Sequence, residues 1–140
     1  MTTLDIENAI IDRLKSQITG LHIQGFAQNA GEFAVRHPAG AALVIYGGST
    51  YTAPSSLATI NQNRKMAFDI ILLFKNLRIH NGGHAGAYEY LDDIRAALTG
   101  YKITDCSKMY PTREEYIDEE GGIWRYGMTF ELLTDNVETA

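Results

Sequence analysis

The chain has 140 residues, 45% hydrophobic and 21% charged, a globular balance long enough for one domain with a real core. Its net charge of -5 excludes a protein that grips nucleic acid by neutralising phosphates, which takes a surplus of Lys and Arg. No apolar run approaches the ~18 residues of a membrane span, and the start Met1-Thr-Thr-Leu-Asp5 lacks the basic-then-apolar pattern of a signal peptide.

In chain order, Ile6, Ile10, Leu14 and Ile18 recur every fourth residue with Ile11 beside them, which predicts an amphipathic helix over Thr3 to Thr19. Thr3 is the expected cap, Asp5 and Glu7 suit the positive N-terminal end, and Gly20 is the expected stop. Leu21 to Ala27 reads as a strand, and Ala41 to Tyr46 as an apolar strand ended by Gly47-Gly48. Ser49 to Asn63 is polar, contains Pro54, and reads as a long loop or an extended hairpin arm.

Arg64 to Phe74 is the clearest strand. Met66, Phe68, Ile70, Leu72 and Phe74 form one face, while Ala67, Ile71 and Leu73 make the other largely apolar too. A strand apolar on both sides belongs mid-sheet, covered on both faces; a helix can supply one cover and a neighbouring subunit the other. Asn81-Gly-Gly-His-Ala-Gly86 reads as a flexible turn. The helix after it carries Ala87, Tyr90, Leu91, Ile94 and Leu98 on one stripe and stops at Gly100.

Thr104 to Tyr110 and the acidic Thr112 to Glu120 read as weaker strands. Gly121-Gly122 turns the chain into Ile123 to Leu133, where Trp124, Tyr126, Met128, Phe130 and Leu132 alternate with polar or small residues. The expected fold is one α+β domain over residues 1–140, an antiparallel or mixed sheet with two amphipathic helices in the order α-β-β-β-α-β-β-β. Asp135 to Ala140 is expected to be a loose tail.

Candidates for chemistry are weak. His80 and His84 have the i,i+4 spacing of two metal ligands on a helix, but Asn81-Gly-Gly83 between them disfavours that helix and no further ligand lies nearby. Cys106, the only cysteine, forms no internal disulfide, which fits a reducing cytoplasm; Asp105 beside it hinders a thiolate. Glu114, Glu115, Asp118, Glu119 and Glu120 lack the pattern of a calcium loop and read as a solvated edge whose charge discourages strand addition. Gly82, Gly83 and Gly86 match neither the dinucleotide fingerprint nor the P-loop. The expectation is therefore no catalytic site, no metal and no cofactor. By contrast, Tyr46, Tyr51, Tyr88, Tyr101, Tyr110, Tyr116, Trp124 and Tyr126 are many amphipathic rings for this size, which points to a protein that assembles.

Phe74-Lys-Asn-Leu-Arg78, Gly86-Ala-Tyr88, Leu91-Asp-Asp-Ile-Arg95 and Leu98-Thr-Gly100 follow one another in the order of a known family. Val44-Ile-Tyr46-Gly-Gly-Ser49-Thr-Tyr51 precedes them, and Arg113-Glu-Glu-Tyr116 and Gly122-Ile-Trp124-Arg-Tyr126 follow. Together they resemble the tail-terminator (tail completion) proteins of Mu-like, contractile-tailed bacteriophages. The resemblance implies a tail-terminator-like fold and a structural, non-enzymatic virion protein, assembled in the host bacterial cytoplasm. Such proteins form a ring, usually a hexamer, that caps the tail tube and holds the sheath end. The ring stops tail polymerisation and offers a surface to the neck or head-completion protein.

The expected partners are thus other copies of the chain, tube, sheath and neck proteins, with no membrane and no sequence-specific nucleic acid, although DNA can pass through the ring. Tyr46, Tyr51, Arg64, Phe68, Arg78, Trp124 and Tyr126 are the candidate contacts to subunit, tube or sheath. Ser49 to Asn63 is the candidate arm to tube or sheath, and the Gly121-Gly122 hairpin or the Arg64 strand the candidate subunit edge. The alternatives are a head-completion or neck adaptor protein, or a small ligand-binding domain or enzyme using the His80–His84 turn.

Overall fold

The computed structural model describes residues 2–25, 40–56, 58–75 and 82–137. They form a single α+β domain: helix α1 (Thr3–Gln17), strands β1 (His22–Gly25), β2 (Ala41–Tyr51) and β3 (Asn61–Lys75), helix α2 (Gly82–Leu98), and strands β4 (Tyr110–Glu120) and β5 (Ile123–Val137). The sheet order is β1-β2-β3-β5-β4. β1 lies parallel to β2, and every other pair is antiparallel.

β3 takes the middle position that its two apolar faces require. Both helices pack on the face of Met66, Phe68, Ile70, Leu72 and Phe74, together with the alternate β5 residues Tyr126, Met128, Phe130 and Leu132. From α1, Ile6, Ile10, Ile11 and Leu14 turn into this core, and from α2, Leu91, Ile94, Ala97 and Leu98. The helices are clasped together by Arg13, whose Nε donates to the Ala97 carbonyl at 2.9 Å, satisfying one of the orphan acceptors at the end of α2. The second face carries its own smaller cluster of Ala41, Leu43 and Leu73, with Ile45, Ile71 and Ile123 half-buried around it.

Several boundaries differ from the sequence reading, each for a local reason. The cap of α1 is Thr2, not Thr3: the Thr2 hydroxyl accepts from the Asp5 amide at 3.1 Å and the Asp5 carboxylate accepts from the Thr2 amide at 2.8 Å, a capping box. Gly47-Gly48 does not end β2. The strand runs on to Tyr51 through a bulge, with a register shift between Tyr46 and Gly48, and Gly48 takes φ +123. The segment from Ser49 to Asn63 is thus a hairpin arm, with Tyr51 paired to Arg64 and the Thr52 amide donating to the Asn63 carbonyl at 3.0 Å.

α2 begins at Gly82, so the glycines expected as a turn lie in its first turns. Thr104 to Tyr110 is not a strand. Asp105 has φ +63 and the Cys106 amide turns back to the Ile103 carbonyl at 3.0 Å; only an isolated bridge joins Lys102 and Lys108. Five strands are therefore described where six were expected. At the other end β5 runs on to Val137, pairing Asp135, Asn136 and Val137 with Asn63, Gln62 and Asn61. The Gly121-Gly122 hairpin forms as expected, both glycines at positive φ as a two-residue type I′ connection requires.

Candidate interaction surfaces

Five of the seven candidate contact residues fall into two groups at opposite ends of the sheet. At the first, the bulge decides which side chains meet. Tyr46 pairs with Phe68, Ser49 with Met66 and Tyr51 with Arg64. The extra residue between Tyr46 and Gly48 changes the alternation, so Tyr46, Ser49 and Tyr51 all fall on the helix side with Arg64. The Arg64 guanidinium donates through Nε to Ser49 Oγ at 3.0 Å and through Nη2 to Thr3 Oγ1 and Tyr46 Oη, each at 3.2 Å. It also sits 5.9 Å from the ring centroids of both Tyr46 and Tyr51, within cation–π range.

Tyr46 Oη and Ser49 Oγ share a short hydrogen bond. Burial works to raise the Tyr46 phenol; the hydrogen bonds with Ser49 and Arg64 and the Arg64 charge outweigh it, leaving the pKa below the ordinary tyrosine value. Tyr51 stays 52% exposed. This corner holds its cation with hydroxyls and rings alone, and no carboxylate forms an ion pair with Arg64 among the described residues.

At the second end Trp124 and Tyr126 join three more rings. Phe74 stacks on both at centroid distances of 6.5 and 6.1 Å. Tyr116 from β4 meets Tyr126 edge-on at 5.4 Å and tilts against Trp124 at 6.1 Å, while Tyr88 from α2 meets Tyr126 edge-on at 6.4 Å. Tyr126 is buried, and that burial, reinforced by the phenols of Tyr88 and Tyr116, raises its pKa. Tyr88 and Tyr116 remain about half exposed and form the outer surface of the cluster.

Along the rim beside it, Arg95 bridges Asp92 and Glu114 at 2.8 and 2.7 Å, and Arg113 pairs with Glu115 at 2.6 Å. The Arg125 fork grips Asp118, Nε to Oδ1 at 2.6 Å, and the hydrogen bond from Arg125 holds the Asp118 carboxyl below its ordinary pKa.

The remaining candidates separate by position. Phe68 has 0% exposure and lies between sheet and helices, so it offers no contact surface; it supports Tyr46, whose ring is 5.4 Å away. Arg78 lies outside the described residues, as do His80 and the side chain of His84. Among the described residues no group of three or more His, Cys, Asp or Glu is placed to hold a metal, and no helix is long and apolar enough to cross a membrane. Cys106 is buried in the loop before β4, and that burial raises its thiol pKa. The sequence reading missed Thr3 and Ser49 as partners of Arg64, because only the bulge and the α1 entry bring them there. Tyr88 and Tyr116 were legible as rings but not as neighbours of Tyr126.

These features define an α+β protein with two helices on one sheet face and unlike polar and aromatic surfaces at the two sheet ends. Residues 10–140 match the family model described as Gp37 protein, and the chain belongs to that family. Comparison with curated proteins gives no match. Among solved structures the fold is shared with a chain of the virion of a native gene transfer agent particle, with TM-score 0.59 at 14% identity, covering 94% of this chain and 95% of that one.

Proposed function

We propose that this chain is a structural virion protein of the phage kind, without a catalytic task, that ends the tail. In this reading copies close into a ring, a hexamer, on the last ring of the tail tube. The ring stops polymerisation, holds the sheath end of a contractile tail and presents a surface to the neck or head-completion protein. The observation that carries the reading is the fold shared along nearly the whole of both chains with a component of a gene transfer agent virion. The motif order that resembles Mu-like tail terminators supplies the narrower role.

The physics of stopping a polymer fits the architecture. A terminator needs one face that accepts the last tube ring and another that refuses the next, and unlike patches on one chain give a heterologous contact that closes when the rotation allows. The Arg64 corner and the Tyr126 aromatic end are such unlike patches. The β2–β3 arm, on which Tyr51 is 52% exposed, suits tube or sheath. A net charge of -5 suits a wall past which DNA slides without sticking.

The test shortens the arm between Thr52 and Asn61 to a three-residue glycine–serine turn in the phage or agent that encodes the chain. Tails of uncontrolled length are the expected result in electron micrographs. Normal-length tails that join heads would overturn the reading. Normal-length tails left unjoined would assign the chain to the neck instead.

A further inference from the structure

We propose that the ring contact is an intermolecular ion pair in which Arg64 of one copy receives Glu119 of the next. The inference rests on the ring reading above and names the surfaces that would make it.

The receiving side is the Arg64 corner. A guanidinium has five N–H donors in a fixed fork. Here Nε and Nη2 are directed at Ser49, Thr3 and Tyr46, and Nη1 has no partner among the described residues. A half-buried cation whose neighbours are hydroxyls and ring faces is oriented but not neutralised. Three anchoring bonds fix the fork before any anion arrives, so little side-chain entropy remains to be lost on pairing. Arg64 also lies against Thr3, in the first turn of α1, where the helix end adds partial positive charge.

The donating side is the end of β4. Four of its five carboxylates lie within ion-pair reach of one of three arginines: Glu114 has Arg95, Glu115 has Arg113, and Asp118 and Glu120 share Arg125. The last pairing is slack, 3.9 Å with the Glu120 side chain 86% exposed. Glu119 has no cation among the described residues. Its Oε2 accepts the Gly122 amide at 3.0 Å, which steadies the side chain at the hairpin and leaves Oε1 without a partner among the described residues. Trp124 lies opposite it on β5 with Tyr116 against that ring, and Tyr46 and Tyr51 frame Arg64, so a docked pair would carry aromatic rings on both sides.

The two groups cannot meet within one chain. Glu119 pairs with Trp124 and Arg64 with Thr134 on the same strand β5, ten positions apart, or roughly 33 Å at the usual strand rise. A carboxylate at one end of the sheet and a pre-oriented cation at the other, neither with a counter-ion among the described residues, is complementarity that a second copy can use. Because the patches differ, the contact is heterologous and head-to-tail, and it closes into a ring when the rotation per copy divides the circle.

The experiment uses the full chain and native mass spectrometry with sedimentation, at low and high salt. Arg64→Glu and Glu119→Arg, each checked for wild-type-like circular dichroism and melting, are each expected to weaken the copy–copy contact by about tenfold or more. An equimolar mixture of the two variants is expected to assemble again, because every contact in an alternating ring then joins opposite charges: Arg64 to Glu119, and the two exchanged residues to each other. Wild-type assembly is expected to weaken as salt rises. Rings from both single variants equal to wild type, or a mixture that stays dissociated, would overturn this contact while leaving the ring intact. A wild-type chain that stays monomeric both alone and on tube protein would overturn the ring reading, and this contact with it.

Discussion

Phe68→Ala tests whether this ring belongs to the core or to a contact. The side chain is fully enclosed, paired with Tyr46 on β2 and Phe130 on β5, so its removal leaves a cavity that the surrounding strands close only in part. Such a truncation costs about 3–5 kcal/mol, a large share of the 5–15 kcal/mol that holds a typical domain. For a chain of 140 residues the unfolding entropy is about 0.3 kcal/mol/K, so the midpoint should fall by roughly 10–17 °C. Urea titration at 25 °C, at a protein concentration low enough to exclude association, gives the free energy directly, and thermal melting gives the shift. Phe68→Leu, which keeps most of the volume, should cost clearly less. A loss below about 1 kcal/mol for the alanine variant, with association weakened instead, would refute the placement of Phe68 in the core.

The bulge gives a second expectation. Gly48→Ala forces a side chain into φ +123, which should cost about 1–3 kcal/mol and lower the melting temperature by several degrees. Thr2→Ala removes the hydroxyl half of the α1 capping box and should cost about 1 kcal/mol, read as a few degrees by circular dichroism. For pH, the Arg125 hydrogen bond lowers the Asp118 pKa below 3.8 in the folded chain. Its contribution is therefore fully present above the unfolded value near pH 4 and is lost as pH falls through the folded value. Asp118→Asn should then destabilise slightly at pH 7, and progressively less as the pH falls below about 4, in paired denaturant titrations.

How much of this was legible in advance depended on whether a feature is local. The periodicity of Ile6, Ile10 and Leu14, the doubly apolar run around Phe68 and the Gly121-Gly122 turn each state a backbone preference within a few residues, and each appears in the fold. The passage of β2 through Gly47-Gly48 and the loop at Asp105 were missed because each depends on what lies opposite. Gly47-Gly48 ends a strand in isolation but continues one when β3 supplies a ladder to pair with. Thr104 to Tyr110 loses its ladder because the Ser107 amide and hydroxyl join Leu133 while Thr134 reaches Asp105, which draws the segment into a pinned loop.

The amino-acid order alone determined the fold class, the mid-sheet position of β3 and the choice of residues rich in aromatic and guanidinium contacts, because burial patterning and side-chain chemistry are properties of single segments. Only the tertiary structure sorted those residues: Phe68 into the core, Tyr46, Tyr51 and Arg64 to one end, Trp124 and Tyr126 to the other. That sorting follows from strand register and one extra residue in β2, which fix how side chains from distant segments share a face.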